Sequence, residues 1–263
     1  MSATVETNRS DYVWIAIYSA IILAWLALYW LSLAHLSAPI LGVFDAAFDP
    51  LIWREWCAQT SAQSLFFDLA PMWLLMGVAM MLPTALPFLK TYQEVASSAK
   101  HTPAASVVGA ALGYLGVWSI FSLTAAIGQT WLAKHSAMSA HGIILDEVGG
   151  AAILIGAGLY QLSSLKAGYL AKCQQPMMYL FSHWRSGRRG AIQMGAQHGL
   201  VCIGCCWALM LLAFVAGTMN LVWMGVATML MTLEKLRWAG ASTGSAVGFA
   251  LIAAGGFALA STA

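Results

Sequence analysis

The sequence predicts an all-α protein, a polytopic bundle of about seven membrane-spanning helices with its N-terminus in the cytoplasm. Three observations predict it. Only 8% of the 263 residues are charged and 60% are hydrophobic, whereas a soluble domain carries roughly 25% charged residues. The apolar residues are gathered into runs close to the about 20 residues that cross a bilayer. The basic residues alternate with those runs in the manner of the positive-inside rule.

The first run is Val13 to Ala34, too long for a signal peptide and preceded by nothing strongly basic, so it reads as a retained anchor. The second is Ser64 to Leu89, in which Pro71, Pro83 and Pro87 are expected to bend the helix or end it early and to free backbone carbonyls. Ala104 to Leu132 is the third and Glu147 to Leu165 the fourth. The fifth, Ala191 to Gly217, is joined to the sixth, Leu221 to Leu236, by the three residues "TMN", which implies an antiparallel hairpin. The seventh runs from about Ser242 to Ala260. The whole chain, 1–263, reads as one transmembrane domain with the lipid bilayer as its main partner.

Alternating seven helices from a cytoplasmic N-terminus puts Arg9, Lys90, Lys100, Lys166, Lys172, Arg185, Arg188, Arg189, Lys235 and Arg237 inside. Arg54 and Lys134 alone fall outside. Residues 35–63, with Trp53 and Trp56 three apart, form an outer loop or a short interfacial helix. Residues 166–190 form a basic cytoplasmic loop that sets topology or lies along anionic headgroups. The net charge of +2 and the lack of a basic stripe argue against nucleic acid as a partner. Five cysteines, an odd number in a long chain, do not make a secreted disulfide scaffold. Phosphate-binding loops, dinucleotide glycine signatures and hydrolase elbows are absent from the sequence.

The chemistry concentrates in the fifth run, at "QHGLVCIGCCWALM". At about 100° per residue, His198, Cys202 and Cys205 fall within about 60° of arc, Cys206 flanks them, and Met194 continues the strip. The strip extends about 12 Å along the axis, too far for one ion to touch all four residues. An ion can take His198 with Cys202, or Cys202 with Cys206, and other ligands must come from other helices. Thiolate and imidazole donors suit a soft or borderline transition metal, copper ahead of zinc or iron. Two readings compete. Cysteine often acts as a small hydrophobe, and Gly195 and Gly199 give a small-residue face for plain packing. A histidine inside a span is costly, and its register with three thiols favours metal binding.

The second run offers Met72, Met76 and Met80 at four-residue spacing, following Asp68 on the same stripe. Met76 and Met80 are candidate thioether ligands, although a methionine stripe is more often core filling. On the outer side "KHSAMSAHGIILDE" places His135, Met138 and His141 as a capture loop or as ordinary solvated residues. Glu234 beside Lys235 is expected to end the sixth helix and pair at the cytoplasmic interface.

The segments "MWLLMGVAMMLP", "GLYQLSSLKAGYLAKCQQP" and "HGLVCIGCCWALM…GTMNLVWM…EK" resemble a bacterial family of predicted metal-binding integral membrane proteins. The resemblance covers roughly Asp68 to Lys235. It implies a multi-pass protein of the bacterial inner membrane, with His198, Cys202, Cys205 and Cys206 as ligands and Cys173 matching a loop cysteine. The expected function is binding of a soft transition metal for handling or transport, with Cys173 and His183 taking the ion on the cytoplasmic side. The alternatives are a metal-containing redox subunit of a membrane oxidoreductase, and a metal-free structural or assembly subunit. In the last case Gly240, Gly244 and Gly248 would serve packing, homo-oligomerisation or contact with other membrane subunits.

Overall fold

The structure is a computed structural model. It describes residues 2–34, 66–98, 103–134, 147–185, 187–218, 220–236 and 240–262, in which every regular element is helical. The loop at 35–63 and the residues His135, Met138 and His141 lie outside the described residues.

Helix α1 (Ser2–Ala34) packs on the bundle along a stripe whose buried residues are Ile17, Ala24 and Leu28, with Trp14 and Trp25 beside them. Its other side, with Ile15, Leu23 and Trp30, faces outward. The second span does not end at its prolines. Helix α2 (Phe66–Met76), a π-helical segment (Gly77–Met81) and helix α3 (Leu82–Ser98) follow one another without a break. Two features explain the continuity. The apolar stripe Ala85, Phe88/Leu89, Tyr92 and Ala96 runs past Pro87 and is buried, so tertiary packing outweighs the lost hydrogen bond. The π turn sits where Pro83 would clash with the carbonyl of Ala79. That carbonyl accepts the Trp25 indole N–H of α1 at 3.0 Å.

Helix α4 (Pro103–Lys134) and helix α8 (Gly187–Leu211) run parallel in the most extensive contact of the fold. A Cβ on Gly113 would overlap the Ile192 carbonyl, and one on Gly195 the Ala110 carbonyl, so the two backbones touch. The fourth span departs from expectation. Helix α5 (Glu147–Gln161) stops, and helix α6 (Ser164–Gln174) leaves it at 60°. Ser163 causes the break: its backbone is extended, and its hydroxyl accepts the Lys166 N–H at 3.2 Å as an N-cap. The region read as a basic loop is therefore α6, then helix α7 (Pro176–His183), then the start of α8.

A one-turn helix α9 (Ala213–Ala216) extends α8, Gly217 turns with φ +95, and Asn220 caps helix α10 (Leu221–Lys235) through the Trp223 N–H at 2.9 Å. This is the expected hairpin. Helix α11 (Gly240–Thr262) packs antiparallel on α5, with Gly248 against Gly158 and Leu162 and Gly255 against Ala151. Gly248 thus packs within the chain.

Among the described residues, five helices are long and apolar enough to cross a membrane, or six if the bent pair α5–α6 counts as one span. The expected seven are not reached because α10 has only 15 residues, about 22 Å against a hydrocarbon core of about 30 Å.

Candidate metal centre

The periodicity of α8 sets Cys202, Cys205 and Cys206 on its inward face, all three buried, in the second half of the helix. Their sulfur atoms lie within 4.8 Å of one another. A metal–thiolate bond is about 2.3 Å, so two sulfurs across one ion stand at most about 4.6 Å apart. The group is therefore close to the spacing that a single soft ion needs, without movement of the helix. Cys205 is 3.3 Å from Cys206 and also donates to the Cys202 carbonyl at 3.2 Å.

A fourth thiol comes from α6. Cys173 is buried and its sulfur is 3.6 Å from that of Cys205. The bend after Gln161 makes this possible, because it carries α6 across α8 at the level of the cysteines. Tyr169 lies against Gly204, and the Tyr160 hydroxyl donates to the Gly204 carbonyl. All four buried cysteines are free thiols.

Cys202 has two further polar partners. The Tyr114 hydroxyl of α4 is 3.1 Å from its sulfur and also donates to the Met81 carbonyl at 3.0 Å. The Lys235 ammonium reaches the same sulfur at 3.0 Å and donates to the Thr84 hydroxyl at 2.7 Å. Lys235 closes α10, so α10 ends beside the cysteines.

Glu234 corrects the sequence reading too. It is 1% exposed, and its carboxylate meets the Lys166 ammonium at 2.6 Å. The Gln161 amide donates to that carboxylate, and Lys166 also donates to the Gln161 oxygen. The Gln174 amide donates to the Glu234 carbonyl at 2.7 Å. Lys166 is therefore buried, and Lys235 is half-buried with its ammonium turned to Cys202.

His198 sits one turn before Cys202 and is 2% exposed. Its ring stacks on Phe88 at 3.9 Å with an interplanar angle of 4°, and Tyr114 is 5.9 Å away. It is not a member of the group whose ligand atoms all lie within 4.8 Å. Met76 and Met80 are buried, Met80 within the π segment. Among the described residues, the hydrogen-bonding neighbours of the three sulfurs from other helices are Cys173, Tyr114 and Lys235. Sequence reasoning missed Tyr114, Thr84 and the inward turn of Lys235. The one available signal was the shortness of the sixth apolar run.

These features define an α-helical protein with several helices fit to cross a membrane and a buried thiol cluster suited to copper or another transition metal. The model of the PpoB2 copper chaperone family matches residues 70–258, most of the chain. The protein belongs to that family. Comparison with curated proteins and with solved structures finds no match.

Proposed function

We propose that the protein is a bacterial inner-membrane carrier of Cu(I), which holds the ion within the thiol group formed by Cys202, Cys205 and Cys206 and passes it on through exchange of thiolate ligands. The observation that carries this reading is the sulfur group itself: three buried thiols within 4.8 Å, in a chain of a copper chaperone family. Thiolates favour soft and borderline ions, Cu(I) and zinc among them, and metal binding removes the thiol proton, which offsets the cost of charge in an apolar medium.

In this account the N-terminus is cytoplasmic and α5–α6 is one broken span. The pair α10–α11 enters from the outer side, ends at the depth of the cysteines and returns. Met76 and Met80, two turns and one turn outward of Thr84 along the second span, approach the centre from outside. His198 is the next donor toward the cytoplasm, and Cys173 is the acceptor that draws the ion toward α6. Broken helices that meet at the level of a binding site are a recurring arrangement in membrane carriers.

The test is metal content. A Cys202→Ser, Cys205→Ser variant is expected to lose bound copper while retaining helicity and its elution profile in detergent. Unchanged copper in that variant removes the basis for the assignment.

A further inference from the structure

Charge around the sulfur group is uneven, and the imbalance bears on which ion the group accepts. Lys166 and Glu234 are paired at 2.6 Å, both buried, and form a unit without net charge. His198 is stacked on Phe88 and stands outside the three-sulfur group. Tyr114 is a neutral hydroxyl bonded to Met81 and Cys202. What remains is the Lys235 ammonium, 3.0 Å from the Cys202 sulfur, with Thr84 as its other hydrogen-bond partner. Among the described residues, the centre carries one positive charge that no carboxylate balances.

We propose that Lys235 is the residue that makes this centre prefer a monovalent soft ion, by supplying the counter-charge of a two-thiolate Cu(I) complex in which Cys202 is one ligand. The inference rests on the proposed copper function and adds the ion's charge and coordination to it. Cu(I) with two thiolates carries one negative charge, and with Lys235 the assembly is neutral. In a low-dielectric interior an uncompensated charge is costly, so neutrality governs what binds. Zn(II) with two thiolates is neutral by itself and leaves Lys235 unbalanced. Zinc reaches neutrality beside Lys235 with three thiolates and a neutral fourth ligand, since it is almost always four-coordinate in closed sites. The nearest neutral donor on α8 is His198, which is held against Phe88 and outside the three-sulfur group. Using Cys173 as the fourth ligand adds another negative charge and leaves the assembly anionic. Three thiolates on Cu(I) do the same.

The experiment measures Cu(I) and Zn(II) affinities of the full chain in detergent by competition with chromophoric chelators, for wild type, Lys235→Met and Lys235→Arg. Lys235→Met is expected to weaken Cu(I) about tenfold or more without weakening Zn(II), and Lys235→Arg to keep the wild-type ratio within about threefold. A Cu(I)/Zn(II) ratio in Lys235→Met that stays within about threefold of wild type overturns the inference and leaves the copper assignment standing. Wild type that binds no stoichiometric Cu(I) overturns both. X-ray absorption of the Cu(I)-loaded wild type gives a second reading that does not depend on a variant folding. Two sulfur ligands support the proposal, and three or four overturn it.

Discussion

Lys166→Met tests the claim that α5, α6 and α10 are locked together by a buried ion pair. Lys166 and Glu234 are each 2% exposed at the side chain and 2.6 Å apart. At an effective dielectric of about 20, unit charges at that distance attract by roughly 6 kcal/mol, most of which goes to offset their desolvation. Removing one partner leaves the other buried with only Gln161 as a side-chain partner, and such a loss costs about 3–5 kcal/mol. Removing both, in Lys166→Met with Glu234→Gln, discards the desolvation cost along with the attraction and should lie within about 1–2 kcal/mol of wild type. The assay is unfolding of the full chain in mixed micelles with increasing denaturing detergent, followed by far-UV circular dichroism, as a double-mutant cycle. Two single variants that each cost under about 1 kcal/mol, or a double variant whose cost is their sum, would refute a buried, coupled pair at this place.

Three further outcomes follow from the same geometry. Trp25→Phe leaves the Ala79 carbonyl beside Pro83 without its indole donor, and should cost about 1–3 kcal/mol in the same unfolding assay. Gly195→Val forces a side chain into the Ala110 carbonyl of α4; it should cost about 1–3 kcal/mol or more and lower the yield of monodisperse protein in size-exclusion chromatography. Tyr114→Phe removes hydrogen bonds to Met81 and Cys202, and should speed the loss of bound Cu(I) to a chelator a few-fold, with a stability cost of about 1 kcal/mol.

The sulfur group was legible in the sequence because helical periodicity alone puts residues 202, 205 and 206 on one side of α8. The α8–α10 hairpin was legible because three residues leave no other path. At the prolines of the second span the freed carbonyl was legible, and the continuity of the helix was not. A proline signals a lost hydrogen bond, but whether a π turn and a neighbouring indole absorb the loss depends on α1, 54 residues away in sequence. The break after Gln161 carried a local cue, Ser163 in capping position, which the surrounding apolar residues masked. Lys166 and Lys235 read as topological markers since lysines usually extend toward water. Their inward course is set by Glu234 and by the Cys202–Thr84 pair, contacts between distant segments that no window of the sequence displays. Cys173 meets Cys205 for a similar reason, through the 60° bend of α6. Tyr114 sits in an apolar run with no pattern of its own, so its role emerges only from packing against α8.

The most direct measurement of the central claim is copper K-edge X-ray absorption on the purified chain loaded with Cu(I). The account predicts about one copper per chain with sulfur as the scatterer of its nearest shell, and loss of that shell in the Cys202→Ser, Cys205→Ser variant. A nitrogen- and oxygen-only shell, or a sulfur shell that survives in the variant, would contradict it.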